Sequence, residues 1–143
     1  MAVIGRSLCI TLLCAAALMA DAHDDIVDHF AAMAAALSDD NGAGFMAGID
    51  KSMPGYDQLK TQINAMVDLS LVASDIDPQK DTGDDWQRSV DLDWYLVMRS
   101  RLPDGPIVRR RQVIHCDLRK EGKHWKITAL APLEFFDAPE VSK

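Results

Sequence analysis

A long alternation of apolar and polar residues between Trp86 and Phe136 constrains the fold more than any other feature of the sequence. In the first run one side is mostly apolar; its members are Trp86, Arg88, Val90, Leu92, Trp94, Leu96, Met98 and Ser100. A period of two is typical of a strand with one buried face. The runs at 107–120 and 125–133 alternate in the same way, and turn-forming residues stand before each of them. The stretch therefore predicts three long strands of one antiparallel sheet.

The two turns predict a register for this sheet. A fold centred on Asp104 pairs Trp94 with Ile114, and a fold centred on Glu121-Gly122 pairs Ile114 with Ala129. Both pairings keep apolar residues on a common face, whereas a slip of one residue would turn all of them to water. We therefore expect the even-numbered residues of the first two strands to face inward.

The opposite, outer face of the predicted sheet is polar. In this register Asp93 lies across from His115. The pair has two interpretations, a carboxylate that orients an imidazole or an exposed salt bridge on a solvated face.

Helical spacing characterises the residues before the sheet. Apolar residues recur three or four positions apart over residues 24–37, which predicts an amphipathic helix. A short second helix is predicted around Phe45, and a third over residues 56–68. Residues 69–76 then predict a short strand, and residues 77–85 a polar loop.

Residues 1–22 have the pattern of a cleaved signal peptide. Arg6 precedes an apolar run from Leu8 to Met19, and Ala20-Asp21-Ala22 resembles a cleavage site. The apolar run is shorter than the roughly 20 residues that cross a bilayer as a helix. We therefore expect a periplasmic or secreted domain over residues 23–143, without stable membrane insertion after cleavage.

Charge and cysteine content narrow the classes of partner. The net charge is −7, which argues against binding to nucleic acid or anionic membranes. Cleavage would remove Cys9 and Cys14, so the mature chain would keep only Cys116 and have no internal disulfide. We expect Cys116 to be a small buried apolar residue. The spacing of histidines, cysteines and acidic residues predicts no metal site, and no motif predicts a bound cofactor.

Helices followed by a long, curved antiparallel sheet form an α+β layout. With these elements the chain resembles the nuclear transport factor 2-like superfamily, also called SnoaL-like. The resemblance depends on the amphipathic helix 24–37, the segment 45–56, the long strands, and the closing stretches 125–128 and 133–136. It implies a cone-shaped sheet wrapped around a helix and an internal cavity. Many members have a small hairpin before the third helix, where this chain has only Ser52-Met53-Pro54-Gly55.

The resemblance leaves two classes of function open, because its members include isomerases, cyclases and dehydratases as well as non-enzymatic binding or association domains. The enzymes generally place a carboxylate or histidine inside the cone as acid or base. The alternation turns no aspartate, glutamate or histidine of the three strands inward. We therefore expect a non-enzymatic domain that binds a small apolar or weakly acidic molecule, or a protein partner. The alternative is an isomerase, cyclase or dehydratase that uses His29 or a loop carboxylate as its base.

Five residues are candidates for lining the cavity: Tyr56, Trp94, Met98, Arg110 and Gln112. A buried guanidinium without a partner is costly. Arg110 is therefore expected to reach the rim, to pair with Asp50 or Glu134, or to contact an anionic ligand.

The predicted outer face also carries an apolar island, which consists of Tyr95, Val97, Val113 and Leu130. Exposed apolar patches often mark contacts with partners. Domains of the superfamily often dimerise through this sheet face, so the resemblance implies a homodimer.

Overall fold

A computed structural model describes residues 3–139 of the chain, with side chains from Asp21 onward. Almost all of the predicted signal peptide therefore lies outside the described side chains, as do residues 140–143. Within residues 3–139 no helix combines the length and the apolar character that a membrane crossing requires.

Three helices precede four strands in the described chain. The elements are α1 (Val3–Ser38), α2 (Gly42–Met46), α3 (Tyr56–Leu69), β1 (Ser70–Gly83), β2 (Gln87–Ser100), β3 (Ile107–Glu121), β4 (His124–Ala131) and a closing 3₁₀-helix (Leu133–Phe136). The strands form one antiparallel sheet in the order β1-β2-β3-β4, and α1 packs mainly against β1. The predicted α+β class is confirmed.

The helices end where the local sequence stops them. Asp40 adopts a positive φ of 59° after α1, and the Asn41 side chain then caps α2 by accepting a hydrogen bond from the Gly44 amide at 2.8 Å. Gly55, with φ of 83°, precedes α3. The apolar stripe of α1 is buried as the spacing predicts, with Ile26, Phe30 and Leu37 all at 0% exposure.

The register of β2 and β3 differs from the prediction by two residues. Trp94 lies opposite Gln112 instead of Ile114, because the turn that joins the strands is centred near Pro103. A shift of two preserves the side of the sheet that each residue faces. Leu92 and Ile114 are therefore buried as expected. Trp86 is an exception to the predicted inner row, since it precedes the strand and is 63% exposed.

An irregularity between Asp117 and Leu118 changes the faces of β4. After it, Cys116 pairs with Leu130, so Leu130 turns inward and is only 6% exposed. This corrects the prediction that Leu130 belongs to the outer apolar island and that Ala129 belongs to the inner row.

A second irregularity lies in β1, between Pro78 and Lys80. The strand continues into the segment 77–85 that was predicted as a polar loop, and it ends only at Gly83. Because the bulge adds one residue, Asp81 pairs with the inward-facing Val90. Asp81 therefore brings an acidic group to the inner face from a segment that was predicted as a loop, outside the three strands for which the sequence predicts no inward acidic group.

Aromatic rings fill the middle of the space between the sheet and the helices. The Trp94 ring lies 4.9 Å from that of Phe136, 6.0 Å from that of Phe45 and 6.1 Å from that of Phe135, measured between ring centroids. The indole N–H of Trp94 donates to Ser74 Oγ at 3.0 Å. All four rings are at most 4% exposed, so dispersion and apolar burial dominate here.

Candidate functional site

The five candidate cavity residues do not meet in one place. Trp94 and Met98 are fully buried, whereas Gln112 is exposed at the surface. Tyr56 lies half-buried on a groove beside α2. Arg110 donates to the backbone carbonyls of Phe135, at 3.0 Å, and Asp137, so its guanidinium fastens the closing 3₁₀-helix to the sheet.

An apolar groove lies at the end of the sheet that contains the β2–β3 turn. We call it the turn groove; it has a volume of about 380 Å³ and is lined by Asp68, Leu69, Ser70, Met98, residues 100–106 and Pro139. Leu102 is 65% exposed and Leu69 is 40% exposed, so this wall offers apolar surface to solvent. Such a groove can hold an apolar molecule.

One cation stands in the wall of the turn groove. The Arg101 guanidinium donates to the Val67 carbonyl from Nε at 3.2 Å and from Nη2 at 3.0 Å. Nη2 also lies 2.8 Å from the carboxylate of Asp40. These contacts fix the guanidinium while 38% of the side chain stays exposed, which leaves it able to meet an acidic group of a ligand.

A buried ionic cluster occupies the other end of the inner face. Arg88 Nε lies 2.5 Å from Asp81 Oδ1, and His23 Nδ1 lies 2.7 Å from Asp81 Oδ2. Arg88 Nη1 also donates to the Asp84 carbonyl at 3.0 Å. The side chains of Arg88 and Asp81 are 7% and 5% exposed. This arrangement satisfies a guanidinium that the alternation turns inward, and sequence reasoning missed its partner because it depends on the bulge in β1.

A second groove lies between α1 and the β3–β4 hairpin, and we call it the hairpin groove. It has a volume of about 400 Å³ and is lined by Asp25, Asp28, His29, Ala32, Met33, Gly44, Ala47, Gly48, Lys123, His124, Trp125 and Lys126. Gly48 leaves room for its neighbours, since a Cβ there would lie 2.8 Å from the Met33 sulfur and 3.1 Å from the His29 ring.

His29 is the half-buried titratable group of the hairpin groove. Its Nε2 lies 3.2 Å from the Gly48 carbonyl oxygen, which can only accept. Nε2 therefore carries the proton, and in the neutral ring Nδ1 has a free lone pair. Burial lowers the pKa of His29, and the charges of Lys126 and His124 lower it further, against the opposing effect of the Gly48 hydrogen bond. The imidazole is thus neutral at pH 7.

The outer face of the sheet carries an exposed ionic row. His115 lies between Asp91, at 3.0 Å from Nδ1, and Asp117, at 3.3 Å from Nε2, and the hydrogen bond to Asp91 chiefly raises the pKa of the imidazole. Asp93 instead accepts two hydrogen bonds from Arg111, at 3.0 and 2.7 Å, which lower the pKa of the carboxyl. The predicted Asp93–His115 pair is therefore wrong, because the register differs by two residues.

Three members of the predicted outer island share the outer face. Val113 is 58% exposed, Tyr95 is 37% exposed and Val97 is half-buried. Among the described residues there is no group of three or more histidines, cysteines, aspartates or glutamates that could hold a metal ion.

Cys116 lies at the centre of the sheet and is fully buried. Burial raises the pKa of its thiol well above the usual value, with a smaller effect from Asp117. A thiol in this environment is unreactive, which agrees with the expectation of a structural residue.

Comparison with solved structures identifies the fold as nuclear transport factor 2-like, as the sequence predicts. A candidate scytalone dehydratase from Novosphingobium aromaticivorans superposes with a TM-score of 0.72 at 10% identity, over 80% of this chain and 85% of that chain. A conserved protein from Planctomyces limnophilus gives 0.69 at 8% identity, over 78% of this chain and 94% of that chain. A nuclear transport factor 2-like protein of unknown function from Shewanella oneidensis gives 0.58 at 17% identity, over 76% of this chain and 95% of that chain. No family model and no curated protein matches the sequence.

Proposed function

We propose that this chain is an exported, non-enzymatic domain that binds a small apolar molecule with a weakly acidic group in the turn groove. The observation that carries the proposal is the combination in one groove of exposed apolar side chains, such as Leu102, with the fixed guanidinium of Arg101. The apolar wall would bury the body of the ligand, and Arg101 would pair with its acidic end.

Two further observations support this location. Its volume of about 380 Å³ falls within the range of about 300–1,000 Å³ that is usual for small-molecule sites. The middle of the cone, where the superfamily resemblance implies a cavity, contains Trp94 and the phenylalanine rings packed around it. A ligand is therefore better accommodated at the end of the sheet than in its centre.

Titration with medium-chain fatty acids tests the proposal. Decanoate should raise the melting temperature and bind with measurable heat, whereas decanol, which lacks the carboxylate, should bind about tenfold more weakly. Leu102→Asp should abolish decanoate binding, because it places a negative charge on the apolar wall. Trp86→Gln alters an apolar residue of similar exposure outside the groove and is the matched control. Equal binding by the Leu102→Asp variant would contradict the location, and absence of binding by the parent protein would contradict the ligand class.

One observation favours the alternative, an enzyme of the isomerase, cyclase or dehydratase type. His29 is neutral at pH 7 and has an unprotonated Nδ1 beside a groove, which suits a general base. The test is the exchange of hydrogen for deuterium at the carbon next to the carbonyl group of small carbonyl compounds in deuterated water. Exchange that depends on the protein and disappears in His29→Gln would support this alternative over the binding domain.

We also propose a homodimer in which Tyr95, Val97 and Val113 of two copies face each other across the outer sheet surfaces. The exposure of Tyr95 and Val113 supports this contact. Export through cleavage of residues 1–22 is part of the same proposal, and the N-terminal sequence of the protein recovered from its source tests it.

A further inference from the structure

The hairpin groove contains a buried hydrogen-bond donor without a partner. Trp125 is 4% exposed, and its indole N–H forms no hydrogen bond within the part of the chain that the structure describes. A buried donor left unpaired is costly, so such groups usually meet water or a ligand. Trp125 is also one of the residues that line the hairpin groove, so the unpaired donor belongs to a side chain of that groove.

The two walls of the hairpin groove carry opposite charges. Asp25 and Asp28 stand on α1, and Lys123 and Lys126 stand on the hairpin that faces it. None of the four belongs to an ion pair formed within residues 21–139. Lys126 donates one hydrogen bond to the Ala47 carbonyl, which fixes the ammonium and leaves two of its three N–H groups. A molecule that carries both charges fits these walls better than an anion or a cation alone.

The groove also offers surface for the body of a small molecule. Ala32 and Ala47 are exposed apolar residues of its lining. His29 adds no charge, because burial keeps its ring neutral, and its Nδ1 lone pair can accept a hydrogen bond from an ammonium group. The volume of about 400 Å³ is sufficient for an amino acid and some water.

We propose that the hairpin groove binds a small zwitterion of the α-amino-acid class. Its carboxylate lies near Lys123 and Lys126, beside the Trp125 side chain, and its ammonium faces Asp25 and Asp28. This site is separate from the turn groove and does not depend on a ligand there.

The indole N–H signals of the nitrogen-15-labelled protein provide a direct test. The chain has three tryptophans, and the other two differ in environment, since Trp94 donates to Ser74 and Trp86 is exposed. Titration with L-alanine, L-leucine and L-phenylalanine should move the Trp125 signal in a saturable way, with a dissociation constant of about 1 mM or tighter for the best of them. The signal is assigned by its absence in Trp125→Phe.

Matched probes and variants distinguish the binding of a zwitterion from the binding of a carboxylate or an ammonium group alone. Propionate and ethylamine should each bind at least about tenfold more weakly than L-alanine. Asp28→Asn and Lys123→Met, both at exposed positions, should weaken amino-acid binding about tenfold, whereas Asp24→Asn and Lys60→Met, which lie outside the groove, should leave it unchanged. Two results would overturn the proposal: no saturable movement of the Trp125 signal with any of the three amino acids, or propionate as effective as alanine.

Discussion

Trp94 and Arg88 occupy equivalent places on β2, six residues apart and facing the same interior, yet they are stabilised by different physics. Trp94 is surrounded by Phe45, Phe135 and Phe136, and its one polar atom is bound by a serine hydroxyl. Arg88 is nearly as buried, but it depends on the opposite charge of Asp81. The alternation predicts correctly that both side chains face the interior. Whether each side chain stabilises the fold through packing or through a compensated charge depends on its neighbours.

Truncation of the aromatic centre gives the largest expected effect. Trp94→Ala should lower the free energy of unfolding by about 4 kcal/mol, because it removes a fully buried ring and leaves a cavity between the sheet and the 3₁₀-helix. Urea unfolding measures this loss. Val113→Ala on the outer face of the same sheet is the control and should change stability by less than about 1 kcal/mol. Similar losses in the two variants would mean that the centre is not packed as described.

Loss of the buried ion pair between Arg88 and Asp81 should lower stability nearly as much, but a second substitution should restore it. Asp81→Asn leaves the Arg88 guanidinium buried without its counter-charge and should cost about 3 kcal/mol. The double variant Asp81→Leu with Arg88→Met removes both charges and should regain most of that loss. No corresponding repair exists for Trp94. If the double variant is as unstable as Asp81→Asn, the pair is not coupled in the way the geometry indicates.

These two residues also show how far the sequence alone leads. The period of two correctly predicts the burial of Val90, Leu92, Trp94, Leu96 and Met98. An error of two residues in register does not change the face on which a residue lies. The same rule fails beyond a bulge, where one extra residue exchanges the faces.

Leu130 and Ala129 lie beyond such an irregularity in β4, and Asp81 lies beyond another in β1. A bulge depends on how two strands pair, and neither composition nor spacing within one strand reveals it. Pro78 is the one local signal, since proline cannot donate to a neighbouring strand. The grooves could not be predicted from the sequence either, because α1 and the hairpin, which form one of them, are far apart along the chain.

The outer face should respond differently from the inner face to an introduced charge. In the proposed homodimer Val113→Asp places like charges opposite each other and should weaken association by about 2 kcal/mol, roughly thirtyfold. Because Val113 is 58% exposed, folding of the monomer should be almost unaffected. Sedimentation velocity over a concentration series measures the first effect and urea unfolding the second. Ser89→Asp lies on the same face away from the apolar island and is the control; an equal effect there, or a parent protein that is monomeric, would contradict the dimer.

The smallest effects should have opposite signs on the two sides of the sheet. Burial lowers the pKa of His29 below its ordinary value of 6.5, so protonation of the folded state is disfavoured. The stability that depends on the neutral ring is present above the pKa of the unfolded histidine and is lost as the pH falls below that pKa. The hydrogen bond to Asp91 raises the pKa of His115 above its ordinary value of 6.5. The stability gained from the protonated ring is complete below 6.5, the pKa of the unfolded histidine, and is lost as the pH rises through the pKa of the folded state. Each should amount to less than about 1 kcal/mol, and His115 to the lower part of that range because solvent screens an exposed pair.

Unfolding free energies between about pH 5 and 8 distinguish the two histidines. Relative to His29→Gln, whose amide can still donate to the Gly48 carbonyl, the parent protein should lose stability towards the acidic end. Relative to His115→Gln, the parent should lose stability towards the basic end. Slopes of the same sign for His29 and His115 would show that burial and ion pairing do not divide the two faces of the sheet as the structure indicates.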